Sequence, residues 1–158
     1  MTVPPTPQSS DTESHPPQAT MEALKGMVRA MPMARTLGLR FVHAEPGRVE
    51  VEIPVSEAFS FRPGQLQATA VFAVVAAAGS VLPPGWTNAT VDTTLKIVAP
   101  AQGERLRARG RVVDAGRLLT ICAADVWAVD AAGQERLCAT LLATARNIDT
   151  GAPRPPRG

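Results

Sequence analysis

One uncharged run, residues 68–78, constrains the fold of this chain more than any other segment. Its eleven residues include no charged side chain, and Thr69 is the one strong hydrogen-bonding group among them. The run is too short to cross a bilayer, which takes about 20 apolar residues. Its alanine content favours a helix, and a helix that is apolar on all sides must be surrounded by protein. We therefore predict a long buried helix at about residues 65–80.

The two ends of the chain differ in composition from the rest. Residues 1–19 and 151–158 are dominated by Pro, Ser, Thr, Gln and Gly. Such segments bury too little apolar surface to offset the entropy that is lost on ordering. We predict disordered tails at both ends and a single domain over residues 20–150, because about 130 residues suit one hydrophobic core.

Composition argues against several classes of function. The net charge is only +2, aromatic residues make up 4% of the chain, and Tyr is absent. Nucleic-acid binding is not expected, because such proteins cluster basic charge with exposed aromatic side chains. The N-terminus shows no signal-peptide pattern, so the expectation is a cytoplasmic protein without membrane contact. Cys122 and Cys138 lack the close spacing of a metal or redox motif, which favours reduced core thiols and no metal site.

Alternating apolar residues predict the remaining elements. Residues 48–55 alternate strictly, and a Glu-Pro-Gly turn joins them to residues 39–44 as a hairpin. Strand-like stretches follow at residues 87–98, 104–113, 118–129 and 135–148, with turn residues between them. A first helix is predicted at residues 21–31 with Thr20 as its N-cap, ended by Pro32. The chain is therefore predicted to be α+β, with a hairpin, a buried helix and then an antiparallel meander.

This order of elements resembles the hotdog fold of the thioesterase superfamily, specifically the small acyl-CoA thioesterases of the phenylacetate-pathway type. Four stretches within residues 37–148 carry the resemblance: LGLRFVHAEPGRVEVEIPV, GQLQATAVFAVVAAAG, TVDTTLKIVAPAQGERLRARGRVVDAGRLLT and ATLLATARNI. The resemblance implies a curved antiparallel sheet wrapped around the central helix. It also implies an acyl-CoA or other acyl thioester as ligand, a pocket between two subunits of a homodimer or homotetramer, and no cofactor beyond the coenzyme A of the substrate.

The family's usual segment before the helix reads Asn-x-x-Gly-x-x-His-Gly-Gly, with an Asp or Glu nine residues after the His. Aligned on Gly64, the Asn position is Phe61 and the carboxylate position is Ala76. The His-Gly-Gly positions are Gln67, Ala68 and Thr69. The polar side chains that the resemblance expects are therefore replaced. Backbone N–H groups of Ala68 and Thr69 at a helix start can still stabilise an oxyanion, but Ala76 cannot act as a base.

Other residues could contribute to a site, and each has a simpler structural role as an alternative. Gln67 could orient a carbonyl or cap the helix. Thr90, on the first strand after the helix, falls where some relatives use a Ser or Thr, yet a threonine often satisfies a neighbouring backbone group instead. Glu57 and Asp92 are the acids nearest this region in sequence, and surface positions are favoured for both. The alternation puts Asp92 on one polar sheet face together with Thr90, away from the core.

Four arginines, Arg105, Arg107, Arg109 and Arg111, line one face of a predicted strand. Their charges could be neutralised across the sheet by acids such as Glu50 and Glu52, or could attract the phosphates of coenzyme A. In the resembled family the turn after this strand lies near the nucleotide of coenzyme A. The resemblance therefore assigns Gly116 and Arg117 to the substrate, with Arg117 as a phosphate contact.

Two functional hypotheses remain open on the sequence. The first is an acyl-CoA thioesterase that hydrolyses or binds an acyl thioester between subunits. The second is a non-catalytic acyl-CoA or fatty-acyl binding protein that has lost the carboxylate. Hydratase chemistry on the same fold is disfavoured, because it needs a histidine beside an acid, while His15 lies in the N-terminal tail and His43 next to a turn.

Overall fold

The computed structural model describes residues 18–63, 65–66 and 86–151. It begins with helix α1 at Gln18–Ala30 and a short helix α2 at Pro32–Thr36. Pro32 lacks the N–H that would continue α1 and instead occupies the first turn of α2, where no N–H is needed. The predicted first helix is confirmed, but it starts at Gln18. Thr20 is therefore in its first turn and is not the N-cap.

In the described residues nine strands follow, and they form two antiparallel sheets. Six of them make one sheet in the order β1-β2-β7-β8-β9-β5, and three short ones make a second in the order β3-β4-β6. The strands are β1 Arg40–Glu45, β2 Arg48–Pro54, β3 Ser60–Arg62, β4 Gln65–Leu66, β5 Trp86–Ile97, β6 Ala101–Gln102, β7 Arg105–Ala115, β8 Leu119–Val129 and β9 Glu135–Asp149. A 3-10 turn, Glu57–Phe59, lies between β2 and β3.

The six long strands match the six predicted ones, but the predicted order of pairing is partly wrong. Strands β7, β8 and β9 form a meander as expected. Strand β5 pairs with β9 at the sheet edge, and β7 pairs with β2 of the hairpin. The segment between β5 and β7 is therefore a crossover past two strands, because alternation of side chains fixes their faces and not their neighbours.

The predicted central helix at about residues 65–80 falls almost wholly outside the described residues. Of that range only Gln65 and Leu66 are described, and they form β4, paired with β3 and β6. Those two residues are therefore not the first turn of a helix. The remainder of this helix stays a prediction.

The inner face of the large sheet carries the core, and the alternation of each strand produces it. Val51 of β2, Leu106 and Ala108 of β7 and Val126 of β8 are fully buried, with no exposed surface. Because pairing aligns Val51 with Ala108 and Ala108 with Val126, these side chains form one continuous row across three strands. Met21 and Val28 of α1 are also buried.

The outer face over β2, β7 and β8 is held by ion pairs. Arg107 donates from Nε to Glu52 at 2.8 Å and from Nη1 to Glu135 at 2.7 Å. Arg109 forms a bidentate pair with Glu135, both bonds 2.8 Å long, and its guanidinium lies 4.5 Å from the centre of the Trp127 ring. This confirms that acids neutralise the arginine row across the sheet. Glu135 was not foreseen, because it lies on β9, two strands away from β7.

Glu135 should make the stability of the protein depend on pH. Hydrogen bonds from Arg109, followed by the charges of Arg109 and Arg107, hold the pKa of the Glu135 carboxyl below its ordinary range. Because the pKa of Glu135 is lower in the folded than in the unfolded protein, ionised Glu135 stabilises the fold at pH values above the unfolded pKa, about 4.3. This contribution disappears as the pH falls through the pKa of Glu135 in the folded protein. We expect Glu135→Gln to cost about 1 kcal/mol at pH 7, with the difference shrinking towards pH 3.

Urea unfolding of both proteins between pH 7 and pH 3 measures this difference. Glu57→Gln is the matched control, because Glu57 is exposed and forms no ion pair in the described part of the chain. A constant gap between wild type and Glu135→Gln over the whole pH range would contradict the expectation.

Candidate functional site

A β-bulge in β5 decides which candidate residues face the core. Thr90 pairs with Ala145, whereas Asp92 pairs with Thr144, so Val91 is an extra residue between them. One extra residue reverses the alternation, which puts Thr90 and the buried Ala145 on the inner face and Asp92 on the outer face. The prediction that Asp92 points away from the core is confirmed. The prediction that Thr90 shares its face is wrong, because alternation alone does not reveal a bulge.

Thr90 belongs to a cluster of polar residues at one end of the inner face. The inner residues there are Asn88 and Thr90 of β5, Thr120 of β8 and Asn147 of β9, with Ala145 between the two threonines. Thr120 is only 3% exposed and its hydroxyl donates to Asn147 Oδ1 at 2.9 Å. Neither Thr120 nor Asn147 was predicted from the sequence as a site residue. Thr120 could have been found, because it shares its parity with the buried apolar residues of β8.

Asn147 also fixes the turn between β7 and β8. Its Nδ2 donates to the Gly116 carbonyl at 2.9 Å, and its backbone N–H donates to the Leu118 carbonyl at 2.8 Å. The Gly116 N–H in turn donates to the Leu119 carbonyl at 2.9 Å, and a Cβ on Gly116 would come within 3.0 Å of that same oxygen. One amide side chain thus connects the inner polar cluster to the turn that carries Arg117.

Arg117 is exposed on this turn and has no hydrogen bond or ion pair within residues 18–63, 65–66 and 86–151. It differs in this respect from Arg107 and Arg109, whose guanidinium groups are occupied by Glu50, Glu52 and Glu135. The backbone at Arg117 is held by its neighbours while the charge remains accessible. Such a side chain can bind an external anion.

Carboxylates are scarce on the inner face. On the described strands of the large sheet, Asp149 is the only acid with inner parity, and it is exposed at the end of β9 with its Oδ1 accepting from the Gly151 N–H at 3.0 Å. Glu57 is exposed in the 3-10 turn. His43 pairs with Glu50 and lies on the outer face. None of these groups lies beside Thr90 in the sheet register.

The other candidate residues from the sequence, Gly64, Gln67, Ala68, Thr69 and Ala76, lie outside the described residues. Cys122 and Cys138 are both buried thiols outside any disulfide, as predicted, and burial raises the pKa of each. Within the described ranges, no group of His, Cys, Asp or Glu could hold a metal ion. No helix in those ranges is long and apolar enough to cross a membrane.

The structure is similar to solved thioesterase structures. A thioesterase family protein from Silicibacter pomeroyi is 30% identical, with a TM-score of 0.77, over 82% of this chain and 98% of its own. The chain belongs to the thioesterase superfamily. This confirms the resemblance to hotdog-fold thioesterases that the sequence analysis inferred.

Two further solved structures have the same fold. A phenylacetic acid degradation-related protein from Ralstonia eutropha JMP134 is 25% identical, with a TM-score of 0.65, over 78% of this chain and 98% of its own. A thioesterase from Haemophilus influenzae is 19% identical over 80% of this chain and 91% of its own, with a TM-score of 0.69, and so shares the fold. A scan of protein-family models and a search of curated proteins gave no match.

The Asn147 side chain should stabilise this hotdog domain through the turn that it holds. We expect Asn147→Ala to lower the free energy of unfolding by about 1–3 kcal/mol, because the buried Thr120 hydroxyl loses its acceptor and the Gly116 carbonyl its donor. Asn88→Ala is the matched control, since Asn88 faces Asn147 across the sheet and has no side-chain hydrogen bond in the described part of the chain. It should cost less than about 0.5 kcal/mol.

Denaturant unfolding measures both losses, and amide hydrogen exchange should be faster at Gly116 in Asn147→Ala alone. Equal costs for the two variants would show that Asn147 does not hold the turn.

Proposed function

We propose that this protein binds an acyl thioester, with acyl-CoA as the expected form, in a pocket between two subunits and hydrolyses it there. The observation that carries the proposal is the 30% identity to the Silicibacter pomeroyi thioesterase family protein over 98% of that chain. The inner-face cluster around Thr90 supports it, because it offers hydroxyl and amide groups at one end of an apolar surface. An acyl chain and a polar thioester need both kinds of surface.

Pairing of two β5 strands is the proposed subunit contact. Strand β5 is twelve residues long and has a hydrogen-bonded neighbour, β9, on one side in the described sheet. Val91 and Ile97 along it are 64% and 57% exposed. A long edge strand with exposed apolar side chains is a template for pairing with another strand, and a two-fold axis lets the same edge serve both subunits. Such a homodimer would bring the inner face that carries Thr90 next to the second subunit.

The proposed hydrolysis is the attack of a water oxygen on the thioester carbonyl carbon. A C–O bond forms and the C–S bond breaks, so the products are a carboxylic acid and a free thiol. In the proposal, Thr90 positions the water and Gln67 orients the carbonyl. Backbone N–H groups of Ala68 and Thr69 stabilise the oxyanion, with Gly64 preceding them in the same binding segment.

A second function competes with hydrolysis, and the residue at position 76 favours it. Ala76 stands where relatives are expected to have a carboxylate, and the described inner face has no acid beside Thr90. Without a base, the attacking water keeps its proton and the reaction slows. The alternative is a non-catalytic protein that binds acyl-CoA or a fatty acyl group in the same pocket.

Arg117 is the proposed contact for a phosphate of coenzyme A, beside the Gly116 backbone. Its guanidinium is exposed on a turn that Asn147 holds and has no ion pair with any of the described residues, which supports this role. A charged hydrogen bond from arginine to phosphate is stronger than a neutral one and can be bidentate.

Thiol release from short, medium, aromatic and long acyl-CoAs separates the two functions. If the protein is an enzyme, at least one of these substrates should release thiol faster than buffer alone, and Thr90→Val should slow that release while the protein remains folded. Binding of acyl-CoA by calorimetry without any release above buffer would instead support the binding protein and rule out hydrolysis.

Restoring the carboxylate should create or raise activity. We expect Ala76→Asp to increase kcat/KM by about 100-fold, the lower range for a positioned base, at a cost of a few kcal/mol for a carboxylate in an apolar helix. Ala76→Asn is the matched control, because it has a similar size and polarity but cannot accept a proton at neutral pH. Equal activity of the two folded variants would count against the alignment at position 76.

Removing the Arg117 charge should weaken binding of the nucleotide part of the substrate. We expect Arg117→Ala to raise the Kd for coenzyme A about tenfold at low salt, and by less at high salt, where exposed charges are screened. A thioester of N-acetylcysteamine, which lacks the nucleotide, should be insensitive to the change. Arg35→Ala on α2 removes an equivalent exposed charge as a control, and an equal effect of both variants would contradict the assignment.

A further inference from the structure

The exposed side of α1 is divided lengthwise into a charged flank and an apolar flank. Met21 and Val28 are buried against the domain, which fixes the rotation of the helix. At about 3.6 residues per turn, Glu22 and Arg29 then lie on one exposed flank. The opposite flank consists of the exposed residues Ala23, Met27 and Ala30. A helix that is already packed on its domain therefore presents a second apolar stripe to the outside.

This apolar stripe continues past the end of α1. Met27 is 55% exposed, Met31 45% and Met33 55%. Met31 follows Met27 by one turn, and its backbone N–H donates to the Val28 carbonyl at 3.1 Å, so it extends the same stripe. Met33 comes two residues later, which keeps its Cα within about 7 Å of that of Met31. We call the exposed residues Ala23, Met27, Ala30, Met31 and Met33 the methionine surface.

The chain around the methionine surface is basic. Residues 23–42 include four basic side chains and no acid. Two of the four have partners from outside that range: Lys25 pairs with Glu22 at 2.6 Å, and Arg40 pairs with Glu52 at 3.2 Å. The other two, both arginines, determine the charge that this side of the molecule offers.

Those two arginines, Arg29 and Arg35, are exposed at the two ends of the methionine surface. Neither has an ion pair within residues 18–63, 65–66 and 86–151. The Arg29 guanidinium lies 5.6 Å from the centre of the Phe41 ring, which positions it without neutralising its charge. Arg35 is in the last turn of α2. The helices thus carry two available positive charges beside an exposed apolar stripe.

This combination is complementary to an anionic membrane surface. In a helix that lies on a membrane, apolar side chains enter the boundary of the acyl chains while arginines reach the lipid phosphates. A guanidinium matches a phosphate in charge and geometry. A protein partner would instead be anchored by bulky side chains in packed pockets. The methionine surface is the outside of a helix, and its unbranched side chains adapt to a partner without a fixed shape.

We propose that α1 and α2 dock this protein onto anionic lipid membranes, with the methionine surface in the headgroup boundary and Arg29 and Arg35 on lipid phosphates. Such a contact needs no helix that spans the membrane. It differs from the expectation of no membrane contact, because the exposed stripe of α1 becomes evident only once its buried side is known. The docking goes beyond the proposed thioester chemistry and does not depend on it.

Sedimentation with lipid vesicles tests the docking. At low salt the full chain should sediment with vesicles of equal parts phosphatidylcholine and phosphatidylglycerol. Its partition coefficient should be about tenfold lower for vesicles of phosphatidylcholine alone, because these carry no net charge. Added salt should weaken binding to the mixed vesicles, since it screens exposed charges.

Charge reversal tests the arginines. Arg35→Glu should lower the partition coefficient for the mixed vesicles by about tenfold, because one attractive charge becomes repulsive. Arg136→Glu is the matched control: Arg136 is exposed on β9, and its reversal changes the net charge by the same amount. This control should bind the mixed vesicles nearly as well as the wild type.

Neutral replacements test the methionine surface. Met27→Gln should lower the same partition coefficient by about tenfold, and glutamine preserves size and helix propensity, so α1 should remain folded. Leu142→Gln is the matched control, because Leu142 on β9 is 52% exposed, close to the 55% of Met27. Circular dichroism of both variants checks that their secondary structure is unchanged.

Three results would overturn the proposal: no sedimentation with the mixed vesicles, equal binding by Arg35→Glu and Arg136→Glu, or equal losses in Met27→Gln and Leu142→Gln. Binding of poly-glutamate, a soluble acidic polypeptide, without any binding of vesicles would also overturn it and would indicate an acidic protein as the partner. Thiol release plays no part in these measurements, so their failure leaves the proposed function untouched, and failure of that function leaves the docking untouched.

Discussion

The period of two along each strand is the constraint on which the six-stranded sheet depends. It assigns alternate side chains to the apolar inner face or to the charged outer face, and the pairing of neighbours then carries the assignment across the sheet. The row from Val51 through Ala108 to Val126 exists because three strands keep the same phase. The row of ion pairs between Glu52, Arg107 and Glu135 is its counterpart on the other side. The apolar core and the ion pairs of the outer face therefore both follow from the alternation of side chains along the strands.

The same constraint explains what the sequence could reveal. The six long strands were predictable because apolar and polar residues largely alternate along them and turn residues separate them, and the arginine row was predictable with its partners Glu50 and Glu52. The partner Glu135 and the edge position of β5 were not, because they depend on which distant strands become neighbours. Strands β3, β4 and β6 have two or three residues, too few for an alternation to be visible.

The candidate site could be predicted only in part, again because it depends on which strands become neighbours. Thr90 and the turn at Gly116 and Arg117 came from resemblance, whereas Asn147 is evident only once β9 lies between β5 and β8. Its amide joins a buried threonine to a surface turn, so the inner face and the exposed arginine form one connected structure. The family's fold is kept in this chain, while position 76, where the resemblance expects a carboxylate, is an alanine.

The bulge at Val91 means that residue count matters in β5 as much as residue identity. Deletion of one residue there would move either Thr90 to the outer face of the sheet or Asp92 to the inner face, where it would contact the apolar core. Edge strands usually tolerate changes in length, because few neighbours depend on them. This edge strand would not, since its even-numbered residues face inward before Val91 and outward after it. The extra residue keeps both halves in register with β9. A single codon deletion in β5 would therefore rearrange more of the molecule than most substitutions could.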